Sequence, residues 1–120
     1  MIKINTLLLA ISLVETGGQD SLIGKAGERG RYQISARTWR QHSKAPHKLA
    51  SDPVVSKWVA RRHLEWISGH LPPLQRQDPF FITLAWNAGL KRKRPPSPAC
   101  LDYCHRVVNT YERMLELKLP

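Results

Sequence analysis

Acidic side chains are scarce. Asp and Glu together number 9 in 120 residues, against 19 Lys and Arg, for a formal net charge of +10. Such a surplus points to an anionic partner: nucleic acid, anionic lipid or an acidic polymer. Cysteine is scarcer still, with only Cys100 and Cys104, which excludes a scaffold held by several disulfides. Their spacing of four in a predicted helix is poor for a disulfide. Two thiols in one turn, even beside His105, lack the second ligand pair of a zinc site. They read as two small, partly buried thiols, and no metal or cofactor is expected. No apolar run approaches the roughly eighteen residues of a membrane span. No alternation of period two persists, so strands are not expected. Repeats and linkers are missing too, so residues 1–120 read as one domain. Apolar residues still make up 42% of the chain, too many for a disordered basic tail.

The N-terminus superficially resembles a secretory leader: Lys3, then a short, mostly apolar stretch from Leu7 to Val14. No small-residue cleavage pattern closes it, because Glu15-Thr16 follows. Leu7, Leu8, Ile11 and Val14 recur at helical spacing and Gly17-Gly18 stops the run, so a first helix is the better reading. Asp52-Pro53, Asp78-Pro79 and Ser97-Pro98 each place a capping side chain before a proline suited to the first helical position. The helix after Pro53 carries Val55, Trp58, Val59 and Trp66 and is expected to end near Ser68, with Gly69 as its stop. The one after Pro79 is apolar almost all round and belongs in the middle of a core. A long helix follows Pro98 through Leu115, and a short one runs from Ser35 to His42. The expectation is a mainly α domain of about five helices around a central apolar helix. Trp39, Trp58 and Trp66 are expected in the core.

Glu15 is out of place in this grammar. It closes an apolar helix, where the helix dipole opposes negative charge by a few tenths to about 1 kcal/mol. It could be a solvated carboxylate at a frayed end. Alternatively, the dipole and apolar neighbours raise its pKa, giving the protonated carboxyl that a glycoside-cleaving general acid requires.

The residues around Glu15 favour the second possibility. Ile11-Ser12-Leu13-Val14-Glu15-Thr16-Gly17-Gly18 resembles the V-E-S-G-G start of the lysozyme-like domain of soluble lytic transglycosylases. Gly30-Arg31-Tyr32-Gln33-Ile34 resembles that family's G-L-M-Q-I element, and Trp86-Asn87-Ala88-Gly89 its Y-N-A-G element. Asp102-Tyr103 followed by Arg106-Val107 resembles its last motif. Each is weak alone; four in family order cover most of the chain.

The resemblance implies a lysozyme-like fold and cleavage of the β-1,4 bond between N-acetylmuramic acid and N-acetylglucosamine in peptidoglycan. Glu15 takes the place of the general acid and base. Thr16, Tyr32, Gln33, Trp86, Asn87 and Gly89 correspond to groove residues, although Trp86, on an all-round apolar helix, suits the core better than a sugar platform, Tyr32 also suits simple packing, and Asn87 and Gly89 also suit a plain helix end. Tyr103 matches the tyrosine that fixes the catalytic Glu. Peptidoglycan strands and anionic wall polymers become the expected partners, in the cell wall or periplasm, although no convincing export signal is present. The chain also departs from the pattern. Gly24 stands where the family commonly has a serine that touches the substrate acetamido group, leaving Ser21 or Lys25 to replace that contact. Arg31-Tyr32 replaces Leu-Met, as in compact phage-like or accessory members.

Two rivals remain. A hydrolytic lysozyme of the same fold needs a second carboxylate some 6.5–9.5 Å from the first, and Asp20 and Glu28 are the nearest in sequence. A nucleic-acid-binding helical module is suggested by Lys91-Arg92-Lys93-Arg94, but nothing resembles a recognition helix and basic residues are spread along the chain. The run also fits a plain solvated loop.

Overall fold

The structure, a computed structural model, describes residues 1–118. Five α-helices account for the architecture: α1 Ile4–Thr16, α2 Ala36–His42, α3 Pro53–His70, α4 Pro79–Ala88 and α5 Pro98–Glu116. The described residues contain no strand, only isolated bridges that pair Arg29 with Ile23 and Ile34. A short 3-10 turn at His47–Ser51, which carries no clear sequence signal, leads into α3.

The capping grammar operates as expected. Asp52 accepts from the Val54 and Val55 amides, Asp78 from Phe80, Ser97 from Cys100 and Ser35 from Thr38. Each cap satisfies donors that a helix start leaves unpaired. At the other end of α1, Gly17 adopts φ 69° and donates to the Leu13 carbonyl while Gly18 donates to Ser12. This paired closure favours glycine because the left-handed conformation crowds a Cβ. It stops α1 one residue after Glu15.

Leu7, Leu8 and Ile11 of α1 pack with Trp39, Leu64, Ile67, Val107 and Tyr111 in the main core. α1 and α4 both lie against α5, and α3 closes on α1 and α4. α4 is less enclosed than its sequence suggested. Ile82 through Ala85 are buried, while Phe80, Phe81 and Trp86 keep partial exposure; α1 is covered more completely.

Three readings of α3 and the cysteines are corrected. α3 continues through Gly69 to His70, since its carbonyl partners persist to the Leu71 cap. Trp58 and Trp66 are not core: they are 51% and 37% exposed. The stripe that faces the core is Ser56, Val59, Ala60, Leu64 and Ile67, and both tryptophans fall off it. The Arg62 guanidinium covers the Trp58 ring instead, a contact that retains the charge in water. Cys100 and Cys104 are free and buried, Cys104 completely, and pack with Leu84. Burial and the neighbouring thiol push Cys104 up to about 12, which makes it an inert thiol.

Ser56 is completely buried and its hydroxyl finds no partner among the described residues. A buried unpaired hydroxyl costs stability, and alanine is also the better helix former. Ser56→Ala is therefore expected to stabilise the fold by about 1 kcal/mol, seen as a higher urea midpoint. A lower midpoint would mean that this hydroxyl bonds usefully in solution.

Candidate active site

Three segments converge on one open cleft: the end of α1, the loop 24–33, and α4 with the loop that follows it. Its volume is about 1770 Å³. This exceeds the roughly 300–1,000 Å³ of pockets that enclose a small molecule, and the cleft is open rather than enclosed.

Glu15 lines the cleft. The helix stop at Gly17 fixes it on the last turn of α1, half-buried. Tyr103 of α5 donates its hydroxyl to Glu15 Oε2 at 2.7 Å. Burial raises the Glu15 pKa most; the Tyr103 and Trp86 donors oppose that rise, and Glu28 adds to it. The net direction is up, as expected, with desolvation as its main cause. Burial is also what lifts the Tyr103 hydroxyl far above its ordinary value, with Glu15 adding to it, so this hydroxyl stays a donor.

Gln33, Trp86, Asn87 and Gly89 line the same cleft. Gln33 has φ 52°, an uncommon conformation for a side-chain-bearing residue. Its Nε2 donates to the Gly30 and Leu22 carbonyls at 2.9 and 3.1 Å, which clamps the loop and turns Oε1 toward Gly24. The Trp86 ring is only partly buried, and its indole serves Glu15 rather than the core alone.

Thr16 and Tyr32 lie elsewhere. Thr16 is buried, and its hydroxyl bonds the Ser12 and Arg31 carbonyls and the Gly18 and Gln19 amides. A hydroxyl so committed ties α1 to the loop and has nothing left for a ligand. Tyr32 is 4% exposed and packs in the main core.

The two acids nearest Glu15 in sequence separate cleanly. Asp20 forms a two-point pair with Arg31, at 2.6 and 2.9 Å, and that guanidinium holds its carboxyl below the ordinary value. Glu28 faces the cleft. Its carboxylate accepts from the Ala26 amide at 3.0 Å and enters none of the ion pairs found among the described residues. Gly24 leaves room for it: a Cβ there would run into the ends of Glu28 and Gln33. A serine at this position would have to displace both. Of the two proposed replacements for that serine, Lys25 lines the cleft and Ser21 does not.

Sequence reading missed a further wall. His63, Trp66 and His70 recur at i, i+3 and i+7 along α3 and face the cleft. His63 and Trp66 stack with ring centroids 5.6 Å apart and planes 12° from parallel. His63 also meets His42 through a 2.8 Å nitrogen–nitrogen contact. Burial and His42 push His63 down to about 4, so it is neutral near pH 7. The i, i+3, i+7 spacing is present in the sequence, but of the three only Trp66 is read there, and as core. Flat rings of this kind suit the apolar faces of sugars.

No protein-family model matches the chain, and no curated protein matches it.

Proposed function

We propose that this chain is a peptidoglycan lytic transglycosylase with a lysozyme-like fold, cleaving between N-acetylmuramic acid and N-acetylglucosamine. One observation carries the reading: a carboxyl with a raised pKa, oriented by a half-buried tyrosine, in a groove large enough for a glycan strand. The four motif resemblances support it from the sequence side.

Protonated Glu15 gives its proton to the glycosidic oxygen as the bond to the muramoyl anomeric carbon breaks. The resulting carboxylate takes the proton of the muramoyl 6-hydroxyl, whose oxygen attacks that carbon and closes a 1,6-anhydro ring. The proton lost in the first step returns in the second, so one carboxyl serves both and no water is consumed. Tyr103 holds the carboxylate between the steps. Gln33 and Asn87 offer planar amides to the acetamido and hydroxyl groups of the strand, and Trp86 with the α3 rings offers stacking faces. The site of action is then the cell wall or periplasm.

Glu28 favours a second reading. A second carboxylate in the groove, repelling Glu15, is what a hydrolytic lysozyme would use to activate water.

The pH profile tests the role of Glu15. The acid must be protonated at the start, so cleavage falls as pH rises through its raised pKa. That alkaline limb is expected above 4.5, the ordinary value. Glu28→Gln removes a repulsion, so the limb moves toward acid while activity persists. Loss of all activity in Glu28→Gln would favour hydrolysis. A limb at or below 4.5 in the wild type would contradict an active acid of this kind.

A further inference from the structure

The cleft is strongly cationic. Lys25, Arg37, Lys91, Arg92, Lys93 and Arg94 line it, against only Glu15 and Glu28. None of these six enters the ion pairs found among the described residues, which join Arg31 to Asp20 and Arg61 to Glu65. Four consecutive like charges in one loop repel each other, and no carboxylate among the described residues forms an ion pair with them. Pro95 and Pro96 follow the run directly and also line the cleft. Their fixed φ limits the collapse of the loop. A cationic groove of this kind gathers anions by focusing the field between low-dielectric walls. An uncharged sugar polymer gains nothing from it.

We propose that Lys91–Arg94, with Lys25 and Arg37, binds the carboxylates of peptides attached to the muramoyl residues, so the preferred substrate is a peptide-bearing, acidic strand. The inference rests on the cleavage reading above and adds a charge requirement to it. The loop directly follows α4, whose Trp86 acts on the Glu15 carboxyl and whose Asn87 lines the same cleft. Carboxylates borne beside the scissile bond would therefore meet it as the bond reaches Glu15.

The test compares purified glycan strands, stripped of phosphate polymers, with the same strands after their carboxylates are converted to amides. Amidation keeps size and shape and removes charge. Binding is measured in a Glu15→Gln background, which leaves bound strands uncut. At low salt the charged strands are expected to bind about tenfold more tightly, the sum of several modest exposed charge contacts, and added salt shrinks the gap. A fourfold Lys91, Arg92, Lys93 and Arg94→Ala variant, checked for folding by circular dichroism, is expected to lose most of that preference. The quotient of kcat/KM on charged and amidated strands falls with it when Glu15 is restored. Equal binding of both strands by the wild type, no binding of either, or a preference kept by the fourfold variant would overturn the proposal. So would tighter binding of single-stranded DNA than of charged strands, which would assign the loop to nucleic acid. A charge preference without any cleavage would instead sink the enzymatic reading and leave the binding result standing.

Discussion

Glu15→Gln is expected to abolish strand cleavage while making the protein more stable at neutral pH. The first effect follows from chemistry. A glutamine accepts the Tyr103 hydrogen bond and fills the same space, but it can neither give nor take the proton. A single acid–base group contributes roughly 10²–10⁴-fold to rate. Here both steps use the same group, so the loss belongs at the upper end. The second effect follows from linkage. Burial raises the Glu15 pKa in the folded chain above its ordinary value of 4.5. The folded state thus holds this proton more tightly than the unfolded chain does. The stabilisation is fully present below the unfolded pKa and lost as pH rises through the folded pKa. At neutral pH a desolvated charge remains, and glutamine removes it. The melting temperature of the variant should therefore exceed that of the wild type at pH 7, and the gap should close toward pH 4. A variant less stable than the wild type at pH 7 would mean that the carboxylate is well solvated, as in the frayed-end reading.

Gly30→Ala is expected to destabilise the fold by roughly 2–5 kcal/mol. Gly30 has φ 81°, and an added Cβ would fall on the Ala50 carbonyl, 2.9 Å from its carbon. The obstacle is backbone, which cannot rotate aside. The left-handed conformation costs a side-chain-bearing residue about 1–2 kcal/mol, and overpacking adds about 1–3 kcal/mol. The sum, roughly 2–5 kcal/mol, is a large fraction of the 5–15 kcal/mol that typically holds a domain together. Gly30 also donates to the Leu22 carbonyl and receives both the amide and the side-chain Nε2 of Gln33. Displacing it should loosen Gln33 and reduce cleavage even where the protein remains folded. Urea unfolding measures the first effect. A midpoint within about 0.5 kcal/mol of the wild type, the range of an ordinary surface change, would contradict the packing described here.

Local rules carried far in this chain. The Asp-Pro and Ser-Pro pairs mark where α3, α4 and α5 begin, because capping and a fixed φ are properties of two adjacent residues. The position of Glu15 against its helix dipole was equally legible. What failed depended on which face a residue occupies once five helices have packed. Trp58 and Trp66 look like core by size, but the α3 stripe that meets α1 and α4 is built from smaller residues. Tyr32 and Thr16 sit inside motifs that suggest a groove, yet one fills the core and the other knots a helix end to a loop. Glu28 could reach the site from its place in the sequence, but beside Arg29 it could equally have been a surface ion pair. Only the fold shows that Arg31 takes Asp20 and leaves Glu28 in the cleft.

The most direct test is mass analysis of purified peptidoglycan after incubation with the wild-type chain and with Glu15→Gln. The account predicts new 1,6-anhydromuramoyl ends with the wild type and none with the variant. New reducing ends carrying an added water would replace the transglycosylase by the hydrolase. No new ends with the wild type, or equal numbers from both proteins, would contradict the central claim that Glu15 cleaves the strand.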